Sequence, residues 1–311
     1  MTGLKLFDLH CDTVYECYRR GCSLMHNPLH VDVERGWRYA PWCQVFAVWI
    51  PDTVRGEEAW RLCRTVLAYA KGQADAGDGL FRLADTASEL RQAIDEGVPV
   101  GLLGVEGGAA LGGKVQRVAE LAARGVRVMT LTWNGSCELG HGCLSANADG
   151  LTAVGKQVLA EMEKYAIVPD VSHLNEAGFW DVAAHTVGPF IASHSVSKAV
   201  HEHPRNLTDA QFAAIRDRGG LVGVTACGSH LGEQSMERLY RHVDHFLERD
   251  GADTVALGFD LDGTDLPPSW NGIAAAETFA EYLLSRRIHE TVVEALCFDN
   301  AYRFFSRILP R

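Results

Sequence analysis

The chain has 311 residues, 47% hydrophobic and 22% charged, with Lys+Arg 29 against Asp+Glu 40 for a net charge of −11. That length holds two ordinary domains or one large α/β barrel, and the apolar share is ample for a large core. The acidic balance and the lack of any basic run argue against a nucleic-acid or anionic-membrane partner, and no stretch reaches the roughly 18–20 apolar residues that span a bilayer.

In chain order, a first strand is predicted at 4–10. It ends in HCD, so His10 and Asp12 share one face, since strand side chains alternate, and Cys11 takes the other. Residues 11–42, with Trp37, Pro41 and Trp42, read as an irregular excursion over one end of the fold. A strand at 43–50 and a helix over 54–76 follow. The strand at 98–105 closes on Glu106 in GVEGG, and a helix over 114–124 leads to a strand at 126–132 that runs into Trp133 and Asn134. After a helix over 151–165, strand 167–172 closes on His173. After a helix over 175–185, strand 189–194 closes on His194. The helix over 208–218 starts with a capping box, Thr208 and Gln211, and stops at Gly219-Gly220. Strand 220–225, a helix over 235–249 and strand 254–260 follow, the last ending on Asp260 with Asp262 two residues on. Helices over 273–286 and 289–305 complete the chain.

Eight strands alternating with helices predict a parallel (β/α)8 TIM barrel occupying 1–311 as one domain. An open doubly wound sheet is disfavoured, because no glycine-rich phosphate loop follows the first strand. Nine cysteines without a CxxC pair, several in apolar runs, suit a reducing compartment. With no apolar signal region at the amino terminus, a soluble cytoplasmic protein is expected.

Polar residues cluster at strand ends. A lone HxD pair, a Glu in a glycine turn or a single buried His each has an ordinary structural reading. Six such residues on five strand ends instead describe a binuclear metal site at a barrel mouth, with mixed N/O donors that suit zinc. A strand-end aspartate there serves as ligand, general base or both; Asp260, nearer its strand than Asp262, is the expected base.

The ordered set DLHCDT, VEGG, LTWN, DVSH, SHS, HPRNLTD and GFDLDG resembles the membrane (renal) dipeptidase family, peptidase family M19, in its bacterial LTWN-type branch, from about residue 6 to 305. The resemblance implies a metal-dependent amidohydrolase-type barrel with two Zn2+ per chain. His10 and Asp12 would hold one ion and His173 and His194 the other, with Glu106 bridging and Asp260 handling the proton of a metal-bound hydroxide. Arg205 matches the arginine that grips the substrate's terminal carboxylate. Trp133 departs from the animal enzymes, which place a histidine there against the developing oxyanion. Asn134 or His141 is expected to take over that contact, or Trp133 simply shapes an apolar pocket. The segment TACGSHLGE (225–233) also lacks the aromatic-rich loop of relatives, which points to altered substrate preference. The expected activity is hydrolysis of L,L and L,D dipeptides. The alternatives are a hydrolase of another small amide (an N-acyl amino acid or lactam) and a metal-binding non-enzyme. A homodimer is expected from the resemblance alone.

Overall fold

A computed structural model describes residues 3–311. Its strands are β1 Leu6–Cys11, β2 Trp42–Trp49, β3 Arg82–Leu83, β4 Val100–Glu106, β5 Val126–Thr130, β6 Val168–Asp170, β7 Val222–Val224 and β8 Val255–Leu257. All pair in parallel, in the order β6-β5-β4-β2-β1-β8-β7, while the two-residue β3 pairs with the start of β4. The gap between β6 and β7 is closed by residues 191–192, which bridge Asp170 on one side and Val222 on the other. With that segment the ring has eight parallel members, and the fold is the (β/α)8 barrel expected.

The predicted strand at 189–194 contributes only those two bridges, for a local reason. The Ser193 amide donates to the Asp170 carboxylate and the His194 amide to the Ser172 hydroxyl, so side chains replace the ladder where the site begins. The expectation for 11–42 is corrected: the stretch holds a helix at Thr13–Arg20, a turn of helix at Val33–Gly36 and a 3-10 turn at Trp37–Tyr39. Asp32 caps the second of these by accepting from the Arg35 amide. A helix at Ala87–Asp95, opened by a Thr86/Glu89 capping box, was not anticipated at all. The Thr208/Gln211 box opens Asp209–Asp217 as expected, and Gly219 takes a φ of 65° just beyond. The last predicted helix is instead two, Glu290–Glu294 and Asn300–Ile308, joined by a π turn.

Phe7, Leu9, Val45, Leu102, Val128, Val168, Ile191, Leu221 and Ala256 share one apolar cluster with Phe298, Phe304 and Phe305. Side chains from so many different barrel strands can meet only inside the barrel, so its floor is packed and only the far end is open. Phe7 stacks on Phe305 with ring centroids 5.3 Å apart.

The pairing of β1 with β2 shifts register between Asp8 and Cys11. The buried Asp8 carboxylate fills this bulge, accepting from the amides of His10 and Phe259 and from Gln44 Nε2. Bulges re-aim side chains next to active sites, and this one sets the direction of His10. The plain alternation assumed from sequence missed it.

Candidate metal centre and active site

The strand-end residues converge at the carboxyl ends of the barrel strands. Ligand-type atoms of His10, Asp12 and Glu106 all lie within 4.8 Å of one another, as do those of Glu106, His173 and His194. Glu106 belongs to both sets. Its Oε1 is 2.8 Å from His173 Nε2 and 3.4 Å from His194 Nε2, and its Oε2 is 3.8 Å from His10 Nε2. His173 and Asp260 hold φ of 71° and 62°, left-handed conformations that non-glycine residues adopt at a cost of order 1–3 kcal/mol and that concentrate at functional sites. Gly263 is the reverse case: a Cβ there would overlap Asp260 Oδ1 and Asp12 Oδ2, so bare backbone lets two carboxylates converge.

The hydrogen-bond directions show what the donor sets fit. Ser193 Oγ donates to Asp170 Oδ2 at 2.5 Å, so it accepts from His194 Nδ1 at 2.8 Å. Asn134 Oδ1 can only accept, so His173 Nδ1 donates to it at 2.8 Å. Both imidazoles therefore turn bare Nε2 lone pairs toward each other, 2.8 Å apart, with a Glu106 oxygen beside them. Lone pairs held that close repel unless a cation lies among them. His10 Nε2 and Asp12 Oδ1 are likewise buried without a hydrogen-bond partner.

Electrostatics agree with a cation site. Burial pushes the carboxyls of Asp12 and Glu106 well above the carboxylate range, and neighbouring Asp260 pushes both further. Burial raises Asp260 to about 7 against the pull of Arg205. Burial also holds His10 near 4, and it holds His173 and His194 well below an ordinary histidine, with Arg205 adding to the effect. Acids that resist ionising beside imidazoles that resist protonation are what a divalent ion resolves, since it binds the deprotonated form of both.

Asp170 also comes near His10 and His194. Its oxygens are already taken by the Thr130 and Ser193 hydroxyls and by the Ser172 and Ser193 amides. It therefore orients His194 through Ser193, and sequence reasoning missed it; the only available signal was its place three residues before His173. Asp170→Asn, which offers the Ser193 hydroxyl a donor instead of an acceptor, should weaken metal binding about 10–100-fold. Titrating the metal-free variant with zinc and following tryptophan fluorescence measures this; unchanged affinity refutes the orienting role.

Above the donors opens a cavity of about 440 Å³. Arg205 lines it, buried, with its Nε unpartnered and one long bond from the guanidinium to the His194 carbonyl at 3.3 Å. Trp133 lines it too, edge-on to Trp49 (centroids 4.9 Å), which in turn meets Tyr15 at 5.2 Å. Trp49 and Tyr15 were not anticipated. Asn134 lines the cavity but spends its oxygen on His173, whereas His141 is not among the lining residues and its Nδ1 pairs with Ser136 Oγ at 2.8 Å. Asp262 also lines the cavity, but its oxygens are engaged, accepting from the Thr13 hydroxyl and the His30 amide. All nine cysteines are unpaired, and Cys11 is buried in the apolar core.

Two cation-sized donor sets at the carboxyl ends of a closed parallel barrel define a metal-dependent hydrolase of the amidohydrolase barrel type. The profile described as Membrane dipeptidase (Peptidase family M19) matches residues 1–309, and the chain belongs to that family; it is a metallo-dipeptidase. It is similar to an uncharacterized protein in the pqqA 5' region of Klebsiella pneumoniae, 31% identical over 78% of this chain and 94% of that protein. Among solved structures it resembles a family M19 metallopeptidase described as the dipeptidase AC, at 27% identity and a TM-score of 0.92, covering 99% of this chain and 100% of the other. It also resembles a metallopeptidase from Rhodobacter sphaeroides liganded with a phosphinate mimic of the dipeptide L-Ala-D-Ala. That match has 26% identity and a TM-score of 0.91, covering 98% of this chain and 99% of the other. No helix among the described residues is long and apolar enough to cross a membrane.

Proposed function

We propose that this enzyme hydrolyses L,L and L,D dipeptides at a binuclear zinc centre, with His10 and Asp12 on one ion, His173 and His194 on the other, and Glu106 between them. The observation that carries the reading is the pair of donor sets sharing Glu106, in the same cavity as a buried arginine that forms no ion pair among the described residues. Two zinc ions bound there would polarise the scissile carbonyl and make a water acidic enough to attack at neutral pH.

The protein's own groups do the rest. Arg205 takes the substrate's free carboxylate, which fixes the scissile bond over the donor sets. Asp260, raised to about 7 and 3.7 Å from His10 Nε2, takes the attacking water's proton and passes it to the leaving amine. The Tyr15–Trp49–Trp133 wall shapes the apolar side of the cavity. Extending the reading to D-residues draws on the L-Ala-D-Ala mimic bound by the Rhodobacter relative. Nine unpaired cysteines favour a cytoplasmic setting.

Chelation should abolish hydrolysis of Gly-D-Ala and L-Ala-L-Ala, and zinc readdition should restore it at about two ions per chain. N-acyl amino acids, which offer a carboxylate but no ammonium, serve as controls. Turnover that survives complete metal removal refutes the scheme.

A further inference from the structure

The helix that brings Tyr15 and Glu16 to the cavity wall ends on a pair of thiols. It runs Thr13–Arg20, directly after Asp12, and closes on Gly21 at φ 66°. The Gly21 amide returns to the Tyr18 carbonyl at 3.3 Å, and the Cys22 amide to the Cys17 carbonyl at 3.0 Å. Together these bonds make a Schellman cap, whose outermost and innermost residues turn their side chains toward each other. That pair is commonly apolar; here both members are cysteine, Cys17 and Cys22.

The cap also fixes how far apart the two residues can be. A 3.0 Å bond from the Cys22 amide to the Cys17 carbonyl holds the two Cα atoms within about 7 Å even if the whole path is straightened. The bend at the amide nitrogen brings them closer, into the span of about 4.4–6.8 Å that a disulfide bridges. The sulfurs interact already. Burial pushes the Cys17 thiol up, and its hydrogen bond with the Cys22 thiol pushes it further.

The surroundings hold this geometry from both sides. The Tyr69 hydroxyl donates to the Cys22 carbonyl, and Gln73 Oε1 accepts from the Ser23 hydroxyl and the Leu24 amide. Both partners belong to the helix Gly56–Ala76, so the turn is tied to a long rigid element. Asn27 Nδ2 donates to Cys17 Sγ at 3.5 Å and to the Ser23 carbonyl at 3.0 Å. A donor on the sulfur favours its thiolate and so works against the effect of burial. Cys22 is half-buried and Cys17 fully buried, so a reagent meets Cys22 first.

We propose that Cys17 and Cys22 are a site of reversible disulfide formation, made by exchange with a low-molecular-weight disulfide, that braces the helix leading out of the metal centre. The Cys22 thiolate attacks one sulfur of the reagent RSSR, forming Cys22–SR and expelling RS⁻, which takes up the proton that Cys22 lost. Cys17 then gives up its proton and attacks Cys22 Sγ, and the Cys22–SR bond breaks to release a second RSH. The protein dithiol is oxidised by two electrons and RSSR is reduced to two RSH. Disulfides in a reducing compartment are usually transient and redox-sensing, which suits a pair that stands reduced in the resting fold. Neither cysteine lines the catalytic cavity, so the bond restrains the far end of the helix and leaves the donor sets clear.

Arg19 and Arg20 lie between the two cysteines and give a direct readout. Zinc-loaded protein is treated with glutathione disulfide, its remaining thiols are alkylated, and it is cut with trypsin. Peptides 6–19 and 21–35 should then be recovered joined, and dithiothreitol should separate them. The denatured oxidised protein should titrate two thiols fewer than its nine. Peptide 6–19 also holds Cys11, so Cys17→Ser and Cys22→Ser are run alongside, and both should yield the peptides unjoined. The oxidised wild type should melt about 2–5 °C above the reduced form, a small shift because the closed loop is short. Glutathione adducts on Cys22 without joined peptides, or joined peptides that persist in Cys17→Ser, overturn the site. Joined peptides with no rise in melting temperature overturn the brace. Linkage and melting are both read on the wild type, so a serine variant that fails to fold leaves the outcome decidable.

Discussion

Glu106→Gln is expected to lower kcat/KM for L-Ala-L-Ala about 10³-fold, some 4 kcal/mol, and to cut bound zinc below two per chain. The substitution keeps the shape and removes one charge at the single position common to both donor sets. The same variant should move stability in opposite directions with and without metal, which separates a ligand from a merely structural carboxylate. In the folded protein, burial and the charges of Asp12 and Asp260 raise the Glu106 carboxyl well above its unfolded value. A raised acid costs stability once the pH passes its unfolded pKa, and that cost grows until the pH reaches the folded pKa. At pH 7 the metal-free wild type carries this penalty and the glutamine variant does not, so the metal-free variant should melt no lower than metal-free wild type. With zinc present the order reverses, because ligand binding stabilises the native state in proportion to its affinity and the variant has lost affinity. Differential scanning fluorimetry of both proteins, chelated and zinc-loaded, reads all four values. A variant that melts lower in both states shows that Glu106 is only a packing element.

Much of the barrel and its metal rim was legible because one physical pattern repeats. Each buried parallel strand is a short apolar run, and the polar residue that closes it can lie only at the strand's end. His10, Glu106, His173, His194 and Asp260 all announce themselves this way. What escaped depends on partners distant in sequence. The β1 bulge exists because Asp8 accepts from an amide 251 residues away, and no local period records that. Asp170 reads as an ordinary strand residue until Thr130 and Ser193 are seen to claim its oxygens. His141 sat in an attractive GHG context, yet the strand-like bridge between His141 and Ser136 leaves its ring outside the cavity lining. Trp49 ends β2 and Tyr15 lies in the helix at Thr13–Arg20, but their periodicity says only that they are partly buried and not that they form one cavity wall with Trp133, so both became visible only in three dimensions.

The second large effect concerns Arg205. Arg205→Met, close in volume and without charge, should lower kcat/KM on dipeptides by about 10²–10³, the 3–4 kcal/mol scale of a buried charge pair broken at one partner. On the matching dipeptide amides, which lack the terminal carboxylate, wild type and variant should be similar, so the acid-to-amide preference collapses toward one. The structural alternative is that Arg205 merely holds His194 in place. A single bond of 3.3 Å to a neutral carbonyl is a weak brace, and that role predicts equal losses on acid and amide together with a lower melting temperature. The substrate-binding role predicts the opposite for stability. A guanidinium at 5% exposure with no ion pair among the described residues carries an uncompensated desolvation cost in the free enzyme. Replacing it with methionine removes that cost, so the variant should melt at or above the wild type while losing its preferred substrates. On the proposed reading, charge held at a cost in the free enzyme and satisfied by the substrate's carboxylate would turn binding energy into specificity at this site.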